Sequence, residues 1–523
     1  MASLRMRSRA FLLTGVATMA AAGVLAAQQT ISFDEWWGRP GAARTTTDTS
    51  ARTVSRLPFE AQAPAPATSP TPANTRERLH HWSHVAVDST GLDHAPSNVG
   101  DPHTFGHHLG PGRASRAMAI VHVAMFEAVN AIDRRYESYL GIPPVGSGVS
   151  MDAALAVASH DTLVALYPSQ KAQCDRLLAA DLATMPEGTP KKLGVLLGRV
   201  VAAAIMKKTR DDGSNHAEPI YGVDYIAGKA PGEWRQDPIS LIPTALGARW
   251  GTVRPFVVPS GKTFRAPAPP PLSSPAYAAA YNEARRLGGD GITTRTARSD
   301  DQTMTGIYWA YDGTPSLCAP PRLYNQITEV IATQMGSDVT EQARLFALIN
   351  VAMADAGITI WESKFFYKLW RPITAIREAD PGTGPTGIGD GNPLTRGDVA
   401  FSPLGAPASN LDVPNFTPPF PTYPSGHAGF GGALFQILRR FYGRDDIAFT
   451  FVSDELNGVT VDHDGVARPL LPRSFRSLSQ AEEENGQSRI YLGIHWSFDK
   501  SEGIAQGRRV ADYVFTHAFR PLR

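Results

Sequence analysis

The sequence predicts a mainly α-helical protein, because apolar residues recur at helical spacing in many segments while strand-like alternation is rare. One such stripe consists of Ala117, Met118, Val121, Ala124, Met125, Ala128, Val129 and Ile132. The 523 residues, 42% of them hydrophobic, are enough for a large core. That core can belong to two or more domains or to one double-layered domain.

Beyond that stripe, helical patterning predicts helices at 152–166, 170–183, 190–208, 276–287, 301–309, 321–333, 340–371, 425–442, 478–492 and 495–517. The longest is expected to end or kink at Arg371, because Pro372 cannot donate the next backbone hydrogen bond. Two stretches rich in Pro and Gly, 213–275 and 380–420, are predicted to be long connections, the first with short strands.

The chain divides by composition. Residues 1–27 have the parts of a secretory signal, with a basic start and an uncharged run that ends before Gln28. We therefore expect export, secreted or periplasmic, and a retained membrane anchor is the less favoured alternative. Residues 28–75 are rich in Ala, Thr and Pro and are predicted to be a linker or a wrapping arm. An N-terminal helical half, 76–300, and a C-terminal helical half, 301–523, follow.

Charge and cysteine content restrict the function. A formal net charge of +1 and a pI near 7.9 argue against a nucleic-acid partner and against stable membrane association. An exported protein meets oxidising conditions, yet the chain has only Cys174 and Cys318. We expect both cysteines to be free and buried rather than joined in a disulfide.

A histidine-rich stretch lies between residues 80 and 108, among Gly, Pro and Asp residues. Its histidines are His80, His81, His84, His94, His103, His107 and His108. The composition predicts a loop, and no pair of histidines falls on a clear helix. Metal binding by this stretch is therefore the less favoured alternative.

The segment 421–427, Pro-Thr-Tyr-Pro-Ser-Gly-His, leads from a long loop into a helical pattern. Pro424 is suited to the first helical turn, Ser425 supplies a hydroxyl, and Gly426 permits close approach to the backbone. Free amides and the helix dipole would then favour an anion at this helix start. His427 is placed there as an acid or base.

Two further segments carry cationic residues. On one continuous helix, Lys364 and Arg371 would share a face about 10.5 Å apart along the axis, with Trp361 beside them as an aromatic wall. Arg489 and His495 can converge only if the chain breaks between them, and Gly493 is a natural break.

Asp499, four residues after His495, or a nearby carbonyl would orient the imidazole. Three cations, a hydroxyl, a helix start and two histidines suit a tetrahedral oxyanion. The alternative is that the charged residues are ordinary surface residues and that Trp361 belongs to the core.

The three segments together resemble the signature of a superfamily. That superfamily unites vanadium-dependent haloperoxidases with type 2 phosphatidic acid phosphatases and bacterial class A acid phosphatases. The matching parts are Lys364 with Arg371-Pro372, then 424–427, then Ser488-Arg489 with His495 and Asp499. The stretches 308–313, 418–421, 430–433 and 489–493 look most like vanadium chloroperoxidases.

The resemblance implies a fold of two four-helix bundles with the anion pocket in the C-terminal half. It also implies a vanadate cofactor, hydrogen peroxide and halide as substrates, and a small organic molecule as a further substrate. Lys364, Arg371, Arg489, the Ser425 hydroxyl and the Gly426 amide would hold the vanadate oxygens. His495 would bind vanadium, whereas His427 would handle protons on the opposite side.

Further residues bear on specificity. By the same resemblance, Trp361 and Phe420 form an apolar wall that is typical of chloride oxidation. Asp312 would contact one of the cationic side chains. The leading hypothesis is therefore a vanadium-dependent chloroperoxidase that releases hypohalous acid or a halogenated product.

Two alternatives remain. A phosphatase would use the same pocket with His495 as nucleophile and His427 as acid, because phosphate and vanadate have nearly the same shape and charge. A non-catalytic anion-binding protein is the other alternative.

Overall fold

The computed structural model describes residues 32–37, 72–97, 101 and 103–522. The predicted signal, 1–27, lies outside the described residues, as does most of the predicted linker. The helices are α1 Phe33–Trp37, α2 Thr75–Asp93, α3 Gly110–Asp133, α4 Met151–Leu166, α5 Lys171–Ala183, α6 Thr189–Thr209, α7 Pro275–Leu287, α8 Asp300–Tyr308, α9 Pro320–Met335, α10 Val339–Tyr367, α11 Pro372–Arg377, α12 Gly426–Tyr442, α13 Leu478–Tyr491 and α14 Ser497–His517. The predicted mainly α-helical class is confirmed.

Two helical bundles make up the core. In the first, α2 packs on α4, and α3, α4 and α6 pack on one another. In the second, α10, α12 and α14 pack on one another, and α13 packs on α12 and α14. The helices α3 and α10 pack together and join the two bundles. A Cβ atom at Gly507 would lie only 2.0 Å from the Gly429 carbonyl oxygen, so glycine permits the close contact of α12 with α14.

The helix α10 is apolar around most of its circumference and is buried from Thr340 to Ile360 almost without interruption. Both α3 and α10 are long and apolar enough to cross a membrane. Their most apolar windows, however, are 94% and 100% buried within the protein. Such burial is typical of core helices in a folded domain.

The end of α10 differs from the prediction. The helix ends at Tyr367, and Lys368 adopts a left-handed conformation with φ of 53°. Arg371 is extended and forms the N-cap of the short helix α11, as the following Pro372 favours. The prediction that Lys364 and Arg371 share one helical face was therefore wrong, and tertiary contacts bring the two side chains together instead.

The prediction of a loop around the first three histidines was also wrong. His80, His81 and His84 lie on α2, which begins after Asn74, whose side chain accepts a hydrogen bond from the Glu77 amide. Within the described residues, no group of three or more His, Cys, Asp or Glu side chains is arranged to hold a metal ion.

The remaining chain is mostly irregular. The described residues contain one antiparallel strand pair, β1 Phe449–Phe451 and β2 Arg473–Phe475. The predicted connection 213–275 contains isolated bridges and one 3₁₀ turn, Trp250–Thr252, but no strand, so the short strands expected there are not formed. Cys174 and Cys318 are both free and buried, as predicted.

Candidate functional site

The loop 420–422 brings two cationic side chains together. Lys364 Nζ donates hydrogen bonds to the carbonyl oxygens of Pro421 at 2.9 Å and Thr422 at 2.8 Å. Arg371 Nε donates to the Phe420 carbonyl at 2.9 Å. Both cationic side chains are buried. The carbonyls of one loop therefore position groups that come from the end of α10 and the start of α11.

The third cation is Arg489, in the last turn of α13. Its Nη2 donates to both carboxylate oxygens of Asp312, at 2.7 and 2.9 Å. Arg489 is fully buried, and its Nε and Nη1 have no hydrogen-bond partner among the described residues. The predicted contact of Asp312 with a cationic side chain is present, and half of the guanidinium is left to bind another acceptor.

His495 lies in the break between α13, which ends at Tyr491, and α14, which begins at Ser497. Gly493 has φ of 71°, a left-handed conformation that suits glycine, and so separates Arg489 from His495 as the spacing required. His495 Nδ1 lies 2.8 Å from Asp499 Oδ2 and 3.1 Å from the Thr422 hydroxyl. Because Nδ1–H donates to the carboxylate, Nε2 carries the lone pair.

Residues 425–427 supply the next groups of the site, and Gly426 and His427 line the pocket. The helix α12 begins at Gly426, and Ser425 is its N-cap, so Pro424 precedes the helix and does not lie in its first turn as predicted. The Ser425 hydroxyl accepts a long hydrogen bond of 3.4 Å from the Ala428 amide, which leaves its own hydrogen free to donate. His427 Nε2 donates to the Ala310 carbonyl.

The apolar wall contains Trp361 and Phe420, whose ring centroids are 4.9 Å apart. Lys364 Nζ lies 5.0 Å from the Phe420 centroid, and the Arg371 guanidinium carbon lies 4.9 Å from it. The ring of Phe420 therefore contacts both cations. The Trp361 indole N–H donates to the Leu246 carbonyl at 3.0 Å, which holds that ring in place.

Burial and mutual repulsion shift the pKa values of the cationic and basic groups. Burial, reinforced by Arg371, lowers the pKa of the Lys364 ammonium well below its ordinary value. Burial also lowers the pKa of Arg371, to about 9. Burial and the neighbouring cations lower the pKa values of His427 and His495, so both imidazoles are neutral in the free protein at neutral pH.

The pKa values of the two carboxyl groups are shifted upwards. Burial raises the pKa of Asp499 to about 6 and also raises that of Asp312. Three buried cations thus face two carboxylates whose charge is itself disfavoured by burial. Arg371 Nη2 is a further buried donor without a partner among the described residues. A bound oxyanion would supply both the missing negative charge and the missing acceptors, so these residues fit vanadate or phosphate.

A pocket opens onto this cluster. Its walls include seven of the predicted residues, namely Asp312, Trp361, Phe420, Gly426, His427, Arg489 and His495. Four further predicted residues do not line the pocket but are buried next to residues that do. They are Lys364, Arg371, Ser425 and Asp499. The structure therefore brings all the predicted site residues into one region.

Sequence reasoning missed three contributors. Thr422 donates through its hydroxyl to Asp499 and accepts from Lys364 through its carbonyl, and its place inside the 421–427 segment was the available signal. The Ala310 carbonyl belongs to the stretch 308–313, whose resemblance was the available signal. The pair Trp36–Trp37, which also lines the pocket, had no local signal.

Residues 344–523 match the family model for the VCPO second helical-bundle domain. The vanadium chloroperoxidase of Curvularia inaequalis is 33% identical over 499 residues, and the match covers 80% of this chain and 78% of that protein.

Two solved structures show the same fold. A bacterial vanadium-dependent iodoperoxidase superposes with a TM-score of 0.67 at 23% identity, covering 86% of this chain and 98% of that one. The holo form of a bacterial vanadium-dependent chloroperoxidase superposes with a TM-score of 0.56 at 18% identity, covering 80% and 95%. With the identity to the Curvularia inaequalis enzyme and the matched bundle domain, these findings show that the chain belongs to the vanadium-dependent haloperoxidase family.

Proposed function

We propose that this chain binds vanadate at the cationic cluster and oxidises chloride and bromide with hydrogen peroxide. The product is hypohalous acid or a halogenated organic compound. One observation carries the proposal: buried, unpaired N–H groups of Arg371 and Arg489 accompany His495, whose Nε2 bears a lone pair. That combination serves an oxyanion whose central atom accepts a nitrogen ligand.

The oxyanion is held by groups of fixed position. Lys364, Arg371 and Arg489 bind its oxygens, together with the Ser425 hydroxyl and the Gly426 amide, which is one of the unpaired amides at a helix start. His495 binds vanadium through Nε2, because the donation of Nδ1–H to Asp499 fixes the tautomer. Bound vanadate supplies a Lewis acid that activates hydrogen peroxide for the oxidation of halide.

His427 handles the proton that hydrogen peroxide releases on entering the site. Its Nε2–H donates to the Ala310 carbonyl, so Nδ1 is the proton acceptor. Burial and Arg489 keep the ring neutral by lowering its pKa. A neutral imidazole can take up a proton and then return it during each turnover.

The preference for chloride rests on the wall of Trp361 and Phe420. Both rings are at least nine-tenths buried, so they exclude water from the side of the site that they cover. Desolvation strengthens the field of Lys364 and Arg371 on a small anion. Because one protein of this fold is an iodoperoxidase, the decisive comparison is the value of kcat/KM for chloride, bromide and iodide.

Vanadate loading and halogenation test the proposal. Purified protein loaded with vanadate should halogenate a dye when peroxide and halide are added, and phosphate should inhibit the loading. The phosphatase alternative requires instead that the unloaded protein hydrolyse an aryl phosphate rapidly and that vanadate-loaded protein fail to halogenate. Protein that binds vanadate but shows neither activity would support the non-catalytic alternative.

Export is part of the same proposal. It rests on the basic start and uncharged run of residues 1–27. Expression of the full chain should yield mature protein that lacks this segment in the periplasmic or culture fraction. Full-length protein retained in the membrane fraction would instead support the anchor alternative.

A further inference from the structure

The peptide unit between Ala310 and Tyr311 forms hydrogen bonds at both of its polar groups. Its carbonyl oxygen, on Ala310, accepts from His427 Nε2–H. Its amide, on Tyr311, donates to Glu455 Oε1 over 3.0 Å. A buried carboxyl group is therefore connected to His427 through one peptide unit.

Glu455 is surrounded by hydrogen-bond donors. It lies in the 3₁₀ turn Asp454–Leu456, is fully buried and does not line the pocket. Its Oε2 accepts from the Ser409 hydroxyl at 2.6 Å and from Arg468 Nη1. Burial raises the pKa of Glu455, whereas the Arg468 charge and the hydrogen bonds from Ser409 and Tyr311 oppose that shift. These donors favour the charged carboxylate.

Tyr311 is held at a second point by the same 3₁₀ turn. Its hydroxyl accepts a hydrogen bond of 2.6 Å from the Asp454 amide. The backbone of Tyr311 has φ of 45°, a left-handed conformation that is unfavourable for a bulky side chain. Contacts at both the amide and the hydroxyl hold it there. The next residue, Asp312, carries the carboxylate that contacts Arg489.

Two effects on His427 follow from this arrangement. A peptide unit is planar, so the contact that orients the Tyr311 amide also sets the direction of the Ala310 carbonyl. Hydrogen bonds in a chain polarise one another, so donation of the amide to a carboxylate makes the carbonyl a stronger acceptor. Both effects favour the ring with its proton on Nε2 and a lone pair on Nδ1.

We propose that Glu455 is a positioning residue that acts through the 310–311 peptide and holds His427 in the tautomer whose Nδ1 can accept a proton. The use of Nδ1 in turnover rests on the proposed function. The hydrogen-bond chain itself belongs to the protein without vanadate, so it can be tested there.

Nitrogen NMR of the unloaded full chain, with isotopically labelled histidine, tests the proposal at neutral pH. The two ring nitrogens give different signals when protonated and when not, and comparison with His427→Gln identifies those of His427. Glu455→Ala should lower the ratio of the Nε2–H to the Nδ1–H tautomer about fivefold, the equivalent of one neutral hydrogen bond. Glu455→Gln keeps an acceptor but removes the charge, and should lower the ratio about twofold.

Turnover of the vanadate-loaded protein gives a second measurement. In Glu455→Ala, kcat should fall about fivefold, because the ring is no longer held in place. The KM for hydrogen peroxide should stay unchanged, because Glu455 does not line the pocket.

Glu127→Ala is the matched control. Glu127 is also fully buried, and its carboxylate accepts from the Tyr139 amide at 2.6 Å and from the Ser138 hydroxyl at 2.6 Å. It does not line the pocket. Its removal should destabilise the protein but alter neither the tautomer ratio of His427 nor kcat.

A double variant guards against loss of folding. Glu455→Ala leaves Arg468 buried without its partner, which is strongly destabilising. Glu455→Gln with Arg468→Met removes both charges, so stability should recover relative to Glu455→Gln alone. The tautomer ratio should nevertheless fall about twofold, as in the single Gln variant.

An unchanged tautomer ratio in Glu455→Ala and in the double variant would overturn the proposal, as would an equal change in Glu127→Ala. If the ratio falls as expected but loaded protein oxidises no halide, the positioning role stands and the proposed function fails. If loaded wild type halogenates but the ratio does not depend on Glu455, the proposed function stands and the positioning role fails.

Discussion

Arg371 Nη1 donates a hydrogen bond to His495 Nε2 over 3.0 Å. That nitrogen carries the lone pair of the ring, because Nδ1–H is directed at Asp499. In the free protein, therefore, Arg371 is hydrogen-bonded to the same nitrogen that we propose as the vanadium ligand. Under the proposed function, binding of the anion's central atom by His495 Nε2 would replace this hydrogen bond, and the released Nη1–H would become a further donor to the oxyanion.

The two histidines should separate binding from turnover. His495→Ala removes the lone pair that binds vanadium and should abolish retention of vanadium by the protein after dialysis. His427→Ala leaves the three cations and His495 in place, so vanadium should be retained while kcat falls roughly 100-fold or more through loss of proton transfer. Unimpaired activity in both variants would contradict these roles.

Removal of Asp312 should destabilise the protein in a way that an anion reverses. Asp312→Ala leaves Arg489 buried without its carboxylate, which typically costs about 3–5 kcal/mol of folding free energy. Vanadate or phosphate should restore part of this loss, because an anion that binds only the native state stabilises it. Unfolding in denaturant, with and without the anion, measures both effects.

The surface variant Asp446→Ala is the control for Asp312→Ala, because the Asp446 side chain is 78% exposed. It should change stability by less than about 0.5 kcal/mol and should not alter the response to the anion. If the anion stabilises Asp312→Ala no more than wild type, Asp312 does not balance the charge of the anion site.

Replacement of Phe420 should alter halide preference. Phe420→Ser removes the ring that covers Lys364 and Arg371 and admits water beside them. Chloride oxidation, the more demanding reaction, should fall about tenfold more than bromide oxidation, a difference of about 1.4 kcal/mol in activation free energy. The measurement is kcat/KM for each halide, with retained vanadium confirming that the site is loaded. An equal loss for both halides would indicate a packing role only.

A cluster remote from the site should give stability a pH dependence. Glu329 Oε2 lies 2.6 Å from His84 Nε2, and Glu329 Oε1 lies 3.3 Å from His80 Nδ1. Hydrogen bonding to Glu329 raises the pKa of His84 despite burial. Burial opposes the shift of His80, but contacts with Glu329 and Gln342 raise its pKa overall. The two histidines outweigh burial and lower the pKa of Glu329 to about 2.

The directions of these three pKa shifts set the pH range in which the cluster stabilises the protein. The histidine contribution is complete below the unfolded pKa of about 6.5 and is lost as pH rises through the higher folded values. The glutamate contribution is present above about pH 4.5 and is lost as pH falls towards the folded value. Glu329→Gln should therefore destabilise most between about pH 4.5 and 6.5, by about 1 kcal/mol because the groups are partly exposed.

Denaturant unfolding of wild type and Glu329→Gln across pH measures this difference. A double-mutant cycle with His84→Gln isolates the contribution of that pair. A destabilisation that grows steadily as pH rises above this range would contradict the assignment, because both histidines lose their charge as pH rises through their folded pKa values.

The long helix illustrates the limit of local reasoning. The periodicity of its apolar residues predicted α10. The predicted end, Arg371, is four residues beyond the observed end, Tyr367. A left-handed residue, Lys368, stops the helix, and nothing in its side chain signals that conformation. The site survived this error because the loop carbonyls of Phe420 and Pro421 hold Arg371 and Lys364.

The histidine stretch shows a different limit. Gly and Pro between residues 91 and 112 made the whole stretch look like a loop, although His80 to His84 precede them on α2. The packing of α2 on α4 and α9 stabilises that helix, and such contacts have no local sequence signal.

The sequence by itself determined the helical class and which residues to propose for an anion site, because periodicity and chemically demanding side chains are local properties of the chain. The tertiary structure alone decided how distant groups meet. It brought Arg371 into hydrogen-bonding distance of His495 Nε2, Asp312 of Arg489, and the Ala310 carbonyl of His427. It also placed Trp36 and Trp37 in the wall of the pocket. These contacts join residues far apart along the chain, and only the folded packing of helices and loops defines the distances between them.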